Sequence, residues 1–256
     1  MDVAWEPPED DAVVGIVAEE AARRSAIADS LSGALGRTGS TVVEGSAATL
    51  TEADASVLVA VGERALSALA RERPDAPVLP VGEDLGLESV ATERVSDALE
   101  TILSATARVR SHPIFEVALE GERYRGLFDV TLVTAEPAKI SEYSVRSGDE
   151  LIGSFRADGV VAATPAGTHG YASAVDAPEL SPALEAVAVA PIAPFATHAR
   201  QWVLPPELEW RVERDEGPVT LVVDDRSVRS VPVGSPVGLT FEDELRTLVP
   251  PADCRR

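Results

Sequence analysis

The stretch Asp158-Gly159-Val160-Val161-Ala162-Ala163-Thr164-Pro165-Ala166-Gly167-Thr168-His169-Gly170-Tyr171 concentrates residue types able to hold a polar ligand. An apolar run, the pattern of a buried strand, leads into a Thr-Pro-x-Gly-Thr loop and then into a segment read as a short helix, Tyr171 to Val175. Small side chains let a ligand approach the backbone closely. Hydroxyls and free amides at a helix start suit a phosphate or a ribose. The same features also describe an ordinary strand–turn–helix with caps, because small-residue loops are common connectors. The residues alone leave both readings open.

Other chemistries find less support. His112, His169 and His198 stand 57 and 29 residues apart, with no close ligand pair, and Cys254 is the only cysteine. A structural zinc site and an intrachain disulfide are therefore not expected. No serine occupies a Gly-x-Ser-x-Gly elbow, which leaves a hydrolase triad without its nucleophile signature. Gly-x-Gly-x-x-Gly is also absent, which counts against a standard dinucleotide-binding dehydrogenase.

The elements that must position the loop change character near residue 105. Before it, buried-strand candidates at Ala12–Val17, Val57–Val61 and Pro77–Val81 alternate with helical segments. Ile27, Leu31 and Leu35 fall on one helical face within Arg23–Leu35, and Ala65, Leu66, Leu69 and Ala70 repeat that spacing. Val90–Leu103 reads as a further helix. This alternation predicts a parallel sheet covered by helices over residues 1–105. After residue 105 the period is two: strands are expected at Ile114–Leu119, Tyr124–Leu127, Val130–Thr134, Ile140–Val145, Leu151–Phe155, Gly159–Ala163, Val187–Ile192, Leu208–Val212, Val219–Val223 and Ser227–Val231. Turns are read at Glu120-Gly121-Glu122, Ser147-Gly148-Asp149 and Asp224-Asp225. Val237–Phe241 and Leu245–Val249 are expected to form a last hairpin about Asp243, or a short helix. Residues 106–256 thus read as a β-rich, sandwich-like domain following an α/β domain.

The 256-residue chain carries 43 Asp plus Glu against 22 Lys plus Arg, a formal net charge of -21. Such a surface repels nucleic-acid phosphates, so a nucleic-acid partner is excluded. With 45% hydrophobic residues the acid must coat a folded globule and not a disordered tail. Lys139 is the only lysine, and the remaining 21 basic residues are arginines. Carboxylate excess with lysine scarcity is the pattern of cytosolic proteins in salt-accumulating cells. The acidic N-terminal residues 1–11 carry Pro7 and Pro8 and lack a basic-then-apolar signal pattern, and no apolar run is long enough to span a bilayer, so a cytoplasmic protein without a membrane partner is expected. The Debye length grows from roughly 3 Å at molar salt to about 10 Å at 0.1 M, unmasking self-repulsion. The melting temperature is therefore expected to fall as KCl is lowered over that range; a flat thermal-melt series would contradict this.

The Asp158–Tyr171 stretch resembles the Asp-Gly…Ser-Thr-Pro-Thr-Gly-Ser-Thr-Ala-Tyr motif of the NAD kinase family, with Asp158, Gly159, Thr164, Pro165, Gly167 and Tyr171 in register. Ala163, Ala166, Thr168, His169 and Gly170 depart from it. Pro191-Ile192-Ala193-Pro194, then Arg200 and Val203-Leu204-Pro205, resemble that family's Pro-Ile-x-Pro-His…Arg-Pro-x-Val-Leu-Pro segment, with Phe195 where the pattern has His. Leu127-Phe128-Asp129-Val130 sits where the family has Leu-Asn-Glu/Asp-Val, and Ala135-Glu136-Pro137-Ala138-Lys139 continues in register. The resemblance runs from about Ala12 to Phe241. It implies an α/β domain for nucleotide phosphates and a β-rich dinucleotide domain, usually in homodimers or homotetramers. It also implies phosphoryl transfer from ATP or polyphosphate to the 2′-hydroxyl of NAD, with Mg2+ or another divalent cation.

The family's catalytic Gly-Gly-Asp-Gly-Thr loop follows an apolar strand of the first domain. Here the corresponding residues are Val61-Gly62-Glu63-Arg64-Ala65. Gly62 is kept. Glu63 retains the carboxylate one methylene further out, about an ångström, a displacement that can cost on the order of 100-fold where catalysis works by positioning. Arg64 replaces a glycine: its Cβ crowds a phosphate or forbids a left-handed backbone, while its guanidinium can grip that phosphate. The resemblance thus assigns Glu63 as catalytic base and Gly62 and Arg64 to the phosphate loop. It assigns Asp129, Asp158, Gly159, Thr164, Gly167, Thr168 and Tyr171 to dinucleotide binding. Phe128 replaces a hydrogen-bonding Asn and can only stack or fill space. The eroded loop keeps alternatives open: a non-catalytic NAD(H)/NADP(H)-binding sensor or regulatory subunit, or a scaffold paired with an active kinase.

Overall fold

The structure, a computed structural model, describes residues 3–8, 11–36, 39–136, 139–196 and 200–254. Pro137, Ala138 and His198 of the sequence reading lie outside these residues. The chain forms two compact units, Met1–His112 with Glu244–Arg256, and Pro113–Asp243. It passes from one to the other at 112/113 and again at 243/244, so the C-terminal segment belongs to the first unit, which a single cut at 105/106 misses. Compactness is local in the first half, but the chain's last strand finds its parallel neighbour in unit 1.

Unit 1 contains β1 (Val3–Trp5), β2 (Val13–Ala18), α1 (Ala21–Leu35), β3 (Thr41–Glu44), α2 (Ala47–Glu52), β4 (Val57–Val61), α3 (Glu63–Glu72), β5 (Val78–Val81) and α4 (Val95–Ser104). The parallel order is β3-β2-β4-β5, with Val14 opposite both Val42 and Val57, and Leu58 opposite Val78. Successive strand residues face opposite ways. Val57, Val59 and Val61 accordingly cluster with Ile27, Leu31 and Leu35 of α1 and Val95, Leu99 and Ile102 of α4. Leu58 and Ala60, also fully buried, face the other way. The buried face of α3 holds Ala65, Leu66, Leu69 and Ala70, as their spacing predicts, and also Ser67, which the apolar pattern does not mark. β1, β3 and α2 are not marked by the apolar pattern: β1 and β3 are short and largely exposed, and α2 is a six-residue helix capped by Ser46.

Unit 2 begins within β6 (Ala107–Leu119), which pairs with β7 (Glu122–Gly126) through the left-handed residues Glu120 and Gly121, the conformation a two-residue hairpin demands. It continues with β8 (Asp129–Thr134), β9 (Ser141–Ser147), β10 (Glu150–Ala157), β11 (Gly159–Ala163), β12 (Val187–Ile192), β13 (Trp202–Leu204), β14 (Leu208–Arg214), β15 (Val219–Val223) and β16 (Arg226–Val231), and enters β17 (Val237–Leu248). One antiparallel layer runs β10-β9-β14-β17 and the other β13-β12-β11-β8-β15-β16. Phe115, Val130, Leu132, Tyr143, Val145, Val160, Ala162, Trp210, Val212 and Leu221 form the core of this sandwich. The fold class is thus an α/β unit and a β-rich unit.

The last hairpin expected about Asp243 does not form. β17 is one twelve-residue strand, with Val237 and Leu239 opposite Trp210 and Leu208, and Thr247 opposite Val78 of β5. No Gly, Pro or Asn interrupts Leu239–Leu248, and Glu242, Asp243 and Glu244 are exposed strand residues, so the acidic run marks solvent and not a turn. The short helix at Tyr171–Val175 is a 3-10 turn at Ser173–Val175.

Candidate functional site

In unit 2, β11 is buried on both faces. Val160 and Ala162 enter the sandwich core, while Val161 and Ala163 pack with Ala172, Ala190 and Ile192. The chain leaving β11 therefore folds back over its own strand. Thr164 anchors it: its N–H donates to the Phe128 carbonyl at 2.9 Å and its hydroxyl to the Leu127 carbonyl at 2.6 Å. The Gly167 N–H closes a turn on the Thr164 carbonyl at 2.9 Å. A Cβ at Gly167 would lie 2.0 Å from the Phe128 carbonyl oxygen, so only glycine lets the loop rest on that backbone. The Thr168 hydroxyl donates to the Pro165 carbonyl at 3.1 Å and accepts from the Leu180 N–H at 3.4 Å. Both threonine hydroxyls are buried braces of the loop. Its exposed aromatic is Tyr171, at 47% relative exposure.

Asp129 opens β8 opposite Ala163 and is buried, which brings its carboxylate to the loop end of β11. Phe128, in the family's Asn position, is a buried ring whose neighbour is the His169 ring, edge-on with centroids 6.0 Å apart. Gly159 is a packing glycine: a Cβ there would come within 2.4 Å of the Leu132 carbonyl oxygen. Asp158 is not brought to the loop. It precedes Gly159, which pairs with Val133, and the five steps along the chain from Asp158 to Ala163 span roughly 17 Å of strand. Its backbone carbonyl accepts the Thr134 N–H at 2.9 Å, the Thr134 hydroxyl at 3.0 Å and the Tyr143 hydroxyl at 3.3 Å. Burial, reinforced by the Asp158 charge, pushes the Tyr143 pKa up to about 12. Tyr143 therefore stays a neutral donor throughout the physiological range.

In unit 1, β4 runs straight into α3, with Gly62 alone at the junction. Gly62 has φ +84°, and nothing lies within 4 Å of where its Cβ would be, so glycine is needed for conformation and not for clearance. Its N–H donates to the Val81 carbonyl at 2.9 Å. Glu63 is the first helical residue, exposed, at the positive end of the helix dipole. Arg64 is helical too, so it does not meet the left-handed backbone the sequence comparison suggests for that position. Its guanidinium pairs with the Glu19 carboxylate at the protein surface. Among the described residues no group of three or more His, Cys, Asp or Glu side chains is placed to hold a metal ion. Nor is any helix of the described residues long and apolar enough to cross a membrane.

This fold, an α/β unit and a β-rich unit, is shared with solved kinases. A yeast NADH kinase complexed with NADH superposes with TM-score 0.76 at 14% identity, covering 96% of this chain and 89% of that one. An NAD kinase from Archaeoglobus fulgidus in complex with ATP gives TM-score 0.73 at 19% identity, covering 93% of each chain. Residues 127–239 match the family model described as the ATP-NAD kinase C-terminal domain. The NAD kinase of Methanosarcina barkeri is 41% identical over 120 residues, 44% of this chain and 42% of that protein. The NAD kinase of Methanosarcina acetivorans is 36% identical over 153 residues, 57% of this chain and 54% of that protein. These matches span about half the length of each relative. The chain thus shares the fold of these kinases and, over residues 127–239, is similar to the C-terminal domain of the NAD kinase family.

Proposed function

We propose that the chain transfers a phosphoryl group from ATP or polyphosphate to the 2′-hydroxyl of NAD, giving NADP. The observation that carries this reading is the Thr164–Tyr171 loop, held on the Leu127–Asp129 backbone by Thr164 and by a glycine that no other residue can replace. In this reading Asp129 and Tyr171 contact the dinucleotide, Thr164, Gly167 and Thr168 shape the surface it meets, and Gly159 sets the strand beneath. The start of α3, at Gly62 and Glu63, offers amides and a helix dipole to phosphates. Glu63 takes the 2′-hydroxyl proton as the new P–O bond forms and the bridging P–O bond breaks, releasing ADP when ATP is the donor. A divalent cation enters as part of the nucleotide substrate, because Mg2+ is commonly held by substrate phosphates and water with few protein ligands. The resemblance supports a homodimer or homotetramer, and the acidic, lysine-poor composition supports the cytoplasm of a salt-accumulating cell.

A second reading, a non-catalytic NAD(H)/NADP(H) sensor or regulatory subunit, is favoured by one observation: at the start of α3 the Arg64 guanidinium is engaged by Glu19, where the family has a glycine. Calorimetric titration with NAD and NADPH in multimolar KCl tests what both readings share. Tyr171→Ala is expected to weaken binding at least about tenfold, or roughly 1.4 kcal/mol, without unfolding the chain, since the ring is half-exposed. No binding by the native chain would refute both readings and leave the scaffold role.

A further inference from the structure

We propose that Asp224 is a positioning residue for the dinucleotide site, acting through the Leu127–Asp129 backbone on the 164–171 loop; this rests on reading that loop as the dinucleotide surface. Asp224 begins the two-residue turn between β15 and β16, with φ +52°, a conformation Asp and Asn tolerate better than other non-glycine residues. The register pairs Val223 with Val130, so the turn lies beside the start of β8, and the Asp224 N–H donates to the Asp129 carbonyl at 2.8 Å.

The Asp224 carboxylate then turns back onto the same segment. It accepts the Leu127 N–H at 3.2 Å to each oxygen, the Phe128 N–H at 2.9 Å and the Asp129 N–H at 3.3 Å. Successive amides converging on one anion form a nest, and bonds to an ionised acceptor are stronger than neutral ones. The carbonyls of this segment serve the loop. That of Leu127 accepts the Thr164 hydroxyl, and that of Phe128 accepts the Thr164 N–H and is the surface against which Gly167 lies. The segment is thus held on its amide side by Asp224 and holds the loop on its carbonyl side. It also carries the Asp129 carboxylate and the Phe128 ring that meets His169. Without Asp224 these buried amides lose their acceptor, and the platform beneath the loop loses its fixed geometry.

Asp224→Gly and Asp224→Asn in the full chain test this. Both accept φ +52°, but only Asn keeps an acceptor oxygen. In the ligand-free protein, Asp224→Gly is expected to speed amide exchange at least about tenfold at 127–129 and at 164–171, leaving β9 and β14 protected. In turnover it is expected to raise the KM for NAD at least about tenfold, with kcat and the KM for ATP within about twofold, and Asp224→Asn to recover most of the loss. Unchanged exchange at 164–171, or a fall in kcat with both KM values unchanged, or an Asn variant no better than Gly, would overturn the proposal. If the native chain bound no NAD while exchange changed as expected, the functional reading would fall and the positioning of the loop by Asp224 would stand. If it bound NAD while exchange at 164–171 did not change, the reverse would hold.

Discussion

Glu63→Ala is expected to lower NADP synthesis by about 100-fold or more while leaving NAD affinity nearly intact, the scale of a lost general base. Val61, Gly62, Arg64 and Ala65 supply no other carboxylate at the junction of β4 and α3. A purely structural Glu63 would behave differently. As an acid in the first turn of α3 it favours the helix dipole by about 0.3–1 kcal/mol, which shifts a melting curve by a few degrees and leaves turnover per folded molecule unchanged. Steady-state kinetics beside a thermal melt therefore separate the two roles. Glu63→Asp with Arg64→Gly, which restores the family pattern, is expected to raise activity. Arg64 is helical and Gly62 carries the left-handed backbone, so the change is compatible with the fold at about 1 kcal/mol of helix propensity.

Gly167→Ala is expected to abolish measurable dinucleotide binding, a loss of about 100-fold or more, while the chain stays folded. The added Cβ would lie 2.0 Å from the Phe128 carbonyl oxygen and 2.4 Å from its carbon. Both are backbone atoms, so no side-chain rotation relieves the overlap and the loop must lift, straining both Thr164 hydrogen bonds. Overpacking of this kind costs about 1–3 kcal/mol. Gly170→Ala is the control, because its Cβ meets only the Gly167 carbonyl oxygen at 3.5 Å, an ordinary contact. Calorimetry on both variants, with circular dichroism for folding, checks the pair. Equal affinity in Gly167→Ala and the native chain would show that the loop does not shape the site.

The second unit was the more legible half. β11, β12 and β15 fall at Gly159–Ala163, Val187–Ile192 and Val219–Val223, where alternation or a continuous apolar run bounded by turns predicts them, because each strand packs at least one face into the core. β17 is hidden from the sequence pattern because its exposed middle, Glu242 to Glu244, has the polarity of a turn. The motif glycine at 167 was legible as a motif, but its reason, the Phe128 carbonyl, lies 39 residues away in the chain and appears only in the fold. Asp224 announced itself as no more than a turn residue, since its hydrogen-bond partners stand 95 to 97 residues upstream. Asp158 was legible by register with the family motif yet falls at the other end of β11, which a linear motif cannot reveal. Arg64, a poor fit to a left-handed loop, is a sound fit to the helix that begins one residue earlier.

The most direct measurement is NADP formation by the native chain in multimolar KCl with magnesium, with ATP and polyphosphate each tried as donor, and with Glu63→Ala run in parallel. The account predicts NADP synthesis by the native chain that falls about 100-fold or more in the variant. NAD binding without any NADP formed would contradict it in favour of the sensor or regulatory reading, and synthesis undiminished in Glu63→Ala would contradict the assignment of the base.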